Sequence, residues 1–113
     1  MIPMEAERKP VDVTDATFEK FVAENGTAVL DCWAAWCGPC RMLSPIIEQL
    51  AGERDDVVFG KLDVDRNGGV AMKFGITSIP TLLYFKGGRL VDRTIGAIPK
   101  NTIEERLERL VAL

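Results

Sequence analysis

Cys37 and Cys40 are thiols separated by only two residues, Gly38 and Pro39. Such a pair can close a small disulfide ring and open it again, and so short a loop closes at little entropic cost. The chemistry is thiol–disulfide exchange, carried out by a thiolate. An apolar run, Ala28-Val29-Leu30-Asp31-Cys32-Trp33, precedes the pair, and a helical pattern follows from Arg41. The thiols therefore fall where a strand hands over to a helix. There, unpaired backbone N–H groups and the positive end of the helix dipole favour a thiolate. With the helix starting near Cys37, that cysteine is the exposed nucleophile. Cys40, a turn deeper and more buried, keeps its proton longer and resolves. Pro39 has no N–H and suits a first helical turn. The competing reading is two unrelated structural thiols.

Asp31 interrupts an apolar strand, where an unpaired carboxylate is expensive to bury. Desolvation raises the pKa of such a group, making it a proton acceptor and donor for Cys40. The alternative is a strand end that exposes Asp31 to water. Lys61, on the neighbouring strand, is its candidate partner or else a solvated lysine. Ile79-Pro80-Thr81 opens another strand, where proline belongs at a start or an edge; on local grounds alone a trans bond is favoured. Cys32 points to the strand face opposite Asp31 and Trp33 and reads as a small buried hydrophobe, not a second redox group. Trp33 is expected in the core and Trp36 partly exposed beside the reactive cysteine.

These residues need a frame. Val11 to Thr14 is a weak strand. Thr14 or Asp15 can cap a helix carrying Phe18, Phe21 and Val22, which Asn25-Gly26 ends. Thr27 to Trp33 is a central strand with both faces covered. A helix from about Cys37 to Glu53 buries Ile46, Ile47, Leu50 and Ala51, and Pro45 should kink it. Asp56 to Asp63 is a strand, and Val70 to Phe74 a short helix closed by Gly75. Thr81 to Phe85 and Arg89 to Ile95 form a hairpin through Gly87-Gly88. The last helix, about Asn101 to Ala112, carries an apolar stripe of Ile103, Leu107, Leu110 and Val111. The order β-α-β-α-β-α-β-β-α implies an α/β fold with a parallel core sheet, an added antiparallel hairpin and helices on both faces.

The 113 residues suit one domain, 11–113, behind a short flexible N-terminal extension, 1–10. A composition of 47% hydrophobic and 27% charged residues is that of a globular protein. The net charge of -3, without long runs of one sign, gives no nucleic-acid or anionic-membrane surface. No apolar segment suggests a signal peptide or a membrane span. Three clustered cysteines are too few for a secreted disulfide framework, and with no histidine there is no ligand set for zinc, so no metal is expected. A cytoplasmic location follows as an expectation.

The chain resembles the thioredoxin family from about Val11 to its C-terminus. The resemblance rests on Asp31-Cys32-Trp33-Ala34-Ala35-Trp36-Cys37-Gly38-Pro39-Cys40, Pro45, Lys61-Leu62-Asp63-Val64-Asp65, Phe74 to Leu82, Phe85-Lys86-Gly87-Gly88 and Gly96-Ala97. It implies a thioredoxin fold, a central five-stranded mixed β-sheet flanked by four α-helices. It also implies a Cys37–Cys40 disulfide in the oxidised state, a cis Pro80 facing the pair, and Asp31 and Lys61 as the proton-transfer carboxylate and its neighbour. Trp36, Gly38, Pro39, Ile76, Ile79, Pro80, Gly96 and Ala97 match the family's apolar docking surface, with the backbone at Ile79 pairing with substrate peptide. The implied activity is reduction of protein disulfides, with no cofactor beyond the cysteine pair. The implied partners are disulfide-containing targets and a separate thioredoxin reductase, dependent on NADPH or ferredoxin. A monomer is the default at this size. An oxidase or isomerase, or a scaffold module that does not use the thiols, would share the fold; Gly-Pro between the cysteines resembles reducing members. Two departures stand out: Cys32 occupies a position usually held by a larger apolar residue, and Arg41 replaces the commoner Lys.

Overall fold

A computed structural model describes residues 8–113. The elements are β1 (Val11–Asp12), α1 (Phe18–Glu24), β2 (Thr27–Trp33), α2 (Gly38–Glu53), β3 (Val58–Asp63), α3 (Gly68–Lys73), β4 (Thr81–Lys86), β5 (Arg89–Ile95) and α4 (Lys100–Val111). They build one five-stranded sheet in the order β1-β3-β2-β4-β5. β1, β3 and β2 run parallel, while β4 lies antiparallel to β2 and β5 antiparallel to β4. The sheet is therefore mixed, with the hairpin strands added on one side. Gly87 and Gly88 make that hairpin turn at φ 60° and 80°, a region that favours glycine.

The two sheet faces bury different partners. On one, Leu43, Ile47 and Leu50 of α2 and Ile103, Leu107 and Leu110 of α4 pack on Val29, Phe59, Leu82 and Tyr84. On the other, Phe18, Phe21 and Val22 of α1 and Val70 of α3 pack on Leu30, Leu62, Leu83 and Phe85. Because β2 alternates, Val29 and Asp31 face α2, and Leu30 and Cys32 face α1 and α3. β2 is central, and Ala28 through Cys32 are all buried, as the long apolar run requires.

Several local expectations are corrected. Neither Thr14 nor Asp15 caps α1. Thr14 is tied into a turn with Thr17, whose hydroxyl accepts its N–H at 2.9 Å. The Asp15 carboxylate instead accepts the Gly69 and Val70 N–H groups at 2.9 Å each, capping α3 across 54 and 55 residues of sequence. Asn67 Oδ1 accepts the Asp15 N–H, completing the latch. Ile46 and Val111 are only partly buried, at the margin of the core. As expected, Pro45 lies inside α2, which runs from Gly38 to Glu53. Of the N-terminal extension, residues 1–7 lie outside the described residues, and Arg8 donates to the Gly52 carbonyl at 2.6 Å. No helix among the described residues is long and apolar enough to cross a membrane.

Candidate active site

The site forms where β2 and β3 end, beside the start of β4, the usual place for function in sheets of this kind. Cys37 is the N-cap of α2, whose first helical residue, Gly38, comes one residue after the expected start. It is linked to Cys40 by a disulfide, with Cα atoms 5.3 Å apart. The Cys40 N–H donates to Cys37 Sγ at 3.2 Å. The first-turn amide of α2 thus fills the capping role with sulfur as acceptor, which favours negative charge on Cys37 once the ring opens.

The expected contrast in exposure is absent: Cys37 is 2% and Cys40 3% exposed. Cys37 is covered because its sulfur packs under the Ile79 segment, 3.8 Å from the Ile79 carbonyl oxygen, with Ala34 alongside. The two cysteines differ in what they face. Cys37 turns toward Ile79, whereas Cys40 turns toward an open cleft of about 310 Å³ that it shares with Asp31.

Asp31 forms the floor of that cleft and is 5% exposed, so the water-exposed alternative does not hold. Its Oδ1 is buried without a hydrogen-bond partner. Burial pushes the carboxyl up to about 7, against the opposing attraction of Lys61. Lys61 is its register neighbour on β3 and lines the cleft, yet it makes its ion pair with Asp12, at 4.0 Å. It acts on Asp31 through space, not as a contact partner. Trp33 is only partly buried, because it forms a cleft wall; its indole N–H is unpartnered. Cys32, one residue from Asp31, is fully buried in the opposite core, and burial pushes its thiol up to about 12.

The residues expected on the docking surface divide by exposure. Trp36 is 69% exposed, and Pro39 and Ala97 are exposed. Gly38, Ile76, Ile79 and Gly96 are partly buried. Pro80 is buried beneath them, and its peptide bond to Ile79 is cis. The Gly96 N–H donates to the Pro80 carbonyl at 2.8 Å, which brings the Gly96-Ala97 turn beside the Ile79-Pro80 segment. Sequence reasoning missed Asp65, whose carboxylate accepts the Trp36 indole N–H at 2.8 Å. The available signal was that β2 and β3 are parallel neighbours ending at the same edge, which puts the residues just after each strand side by side. It also missed the Arg41 hydrogen bond to the Ala35 carbonyl, at 2.8 Å. Among the described residues, no cluster of three or more His, Cys, Asp or Glu side chains is placed to hold a metal ion.

A dithiol–disulfide pair at a helix start, on a mixed sheet with helices on both faces, defines a thiol–disulfide oxidoreductase. The thioredoxin family model matches residues 9–109. The chain is 46% identical to the thioredoxin of Chlorobaculum thiosulfatiphilum over 102 residues, 88% of this chain and 94% of that one. It is 48% identical to thioredoxin 1 of Synechococcus elongatus over 99 residues, 86% and 92% of the two chains. A solved structure of a variant thioredoxin from Halobacterium salinarum superposes with a TM-score of 0.87 at 29% identity, covering 100% of this chain and 98% of that one. The chain belongs to the thioredoxin family and is a thiol–disulfide oxidoreductase with Cys37 and Cys40 as its redox pair. Members of the family use no cofactor, and membership implies a reductase partner and disulfide substrates.

Proposed function

We propose that the protein works in the reducing direction, passing two electrons from its dithiol to disulfides of other proteins. The Cys37 thiolate attacks one sulfur of a target disulfide, forms a mixed disulfide and releases the other target sulfur as a thiolate. Cys40 gives its proton to Asp31 and attacks Cys37 Sγ. The second target sulfur leaves and is protonated, and the Cys37–Cys40 disulfide remains. Lys61 tunes Asp31 through space. Trp36, Ile76, Ile79, Gly96 and Ala97 receive the target around Gly38 and Pro39, over the buried Pro80, with its extended backbone beside Ile79.

The observation that carries this reading is the Cys40 N–H on Cys37 Sγ, which supports Cys37 as attacking thiolate and leaves Cys40 facing Asp31. Gly38-Pro39 between the cysteines supports the reducing direction. The protein acts as a cytoplasmic monomer and is recycled by a thioredoxin reductase, either an NADPH-dependent flavoprotein or a ferredoxin-dependent enzyme. Equilibration with glutathione tests direction. A potential more negative than the cytosolic pool, roughly -240 mV, is expected, and one near the endoplasmic reticulum poise, about -190 mV, would reverse the assignment. Offering the oxidised protein to each reductase in turn, with thiol release followed optically, identifies the recycling partner.

A further inference from the structure

Arg41 follows the resolving cysteine and is exposed, yet its side chain does not run free into solvent. Its Nη1 donates to the Ala35 carbonyl at 2.8 Å, in the turn that leads from β2 to Cys37. Because Arg41 sits in the first turn of α2, its guanidinium ties that turn to the one before the redox pair. It also lines the cleft whose floor is Asp31 and whose wall includes Cys40. This cleft opens Asp31 toward solvent, and Asp31 Oδ1 has no hydrogen-bond partner among the described residues.

We propose that Arg41 is a positioning residue for the proton-transfer step: by bridging the Ala35 carbonyl and the start of α2, its side chain walls the cleft and limits how much water reaches Asp31. The proposal rests on the reading of Asp31 as proton acceptor for Cys40. A guanidinium suits the task because its planar fork can hold a carbonyl with one nitrogen while its breadth lines the cleft; an ammonium is a single point. The charged and titratable groups facing Asp31 are few. Lys61 comes from β3, and Cys40 and Arg41 from α2; β4 presents the neutral Leu82 in register. Lys61 is the cation that acts on the Asp31 carboxyl, and desolvation is the larger influence. Shortening Arg41 therefore changes Asp31 chiefly through water.

That mechanism has a sign opposite to a simple charge effect. Admitting water eases ionisation of Asp31 and moves its titration to lower pH, whereas removing a nearby cation alone moves it to higher pH. The test follows the Asp31 carboxyl carbon by NMR against pH in the oxidised full-length protein, where neither Cys37 nor Cys40 titrates. In the unsubstituted protein the midpoint should lie near neutrality. In Arg41→Ala it should fall by about one pH unit, and the pH–rate profile of mixed-disulfide resolution should move to lower pH with it. Arg41→Lys, which keeps charge and most of the stem, should fall between the two. An upward shift or no shift in Arg41→Ala would overturn the proposal. If instead the unsubstituted protein titrates near an ordinary carboxylate value, the reading of Asp31 itself fails, whatever Arg41 does.

Discussion

Asp31 and Cys32 are consecutive residues of one strand, both buried, and both driven toward their neutral forms by desolvation. The side of the sheet that each faces separates them. Cys32 looks into a closed core of α1 and α3, where Phe18, Phe74 and Phe85 pack edge to face with ring centroids 5.5–5.7 Å apart. Asp31 looks into a cleft that also holds Cys40 and has Lys61 and Arg41 on its walls. Burial perturbs both groups; only the one with a reactive neighbour and a path to water can move a proton. A perturbed pKa marks a functional residue only when a partner and an exit accompany it.

The largest contrast separates the cysteines. Cys37→Ser should abolish insulin-disulfide reduction, while Cys32→Ser should leave the rate within a few-fold of the starting protein. Equal losses would erase the distinction between the two faces.

Next is the cost of burying the Asp31 charge. Its carboxyl is raised from 3.8 to about 7 on folding, so the native state holds a proton that the unfolded chain loses. Stability from this group is full below about pH 4, falls as pH rises through the window from 3.8 to 7, and is lowest above it. Asp31→Asn should therefore stabilise the protein at pH 8 by roughly 2–4 kcal/mol. It should do little at pH 4. Urea unfolding at both pH values measures this, and a pH-independent effect would remove the buried-charge account.

The same substitution should slow turnover near pH 7 by about a hundredfold, the low end of the usual range for general acid–base catalysis. A pH–rate profile unchanged from that of the unsubstituted protein would take Asp31 out of the mechanism. Smallest is Cys32→Ala, which removes one sulfur from a closed core. It should cost about 1 kcal/mol of stability. In the reduced protein, alkylation at pH 8 should label Cys37 well before Cys32.

Much of this contrast is legible in the chain. A lone carboxylate in an apolar run marks Asp31, strand alternation puts Cys32 on the other face, and the strand-to-helix switch puts Cys37 at a helix start. Other features depend on tertiary neighbours. Asp15 sits in sequence where a cap for α1 belongs, but the fold brings the N-terminus of α3 against it, and its carboxylate goes there. Lys61 is correctly beside Asp31, yet which carboxylate its flexible stem reaches is set by Asp12 on β1, across the parallel pairing. The equal burial of Cys37 and Cys40 depends on the Ile79 segment covering Cys37, a contact spanning 42 residues. Helical position alone gives only their relative depth along α2. The cleft that distinguishes them arises from β2, β3 and α2 together and has no signature in any one segment.

The most direct test is capture of a target by Cys40→Ser, with the linkage mapped by mass spectrometry. Reduced Cys40→Ser protein is mixed with a disulfide-containing protein such as insulin, the covalent complex is isolated, and its cross-linked peptides are sequenced. The account predicts a stable mixed disulfide joined at Cys37. A complex joined at Cys32, or no complex while the unsubstituted protein still reduces insulin, would contradict it.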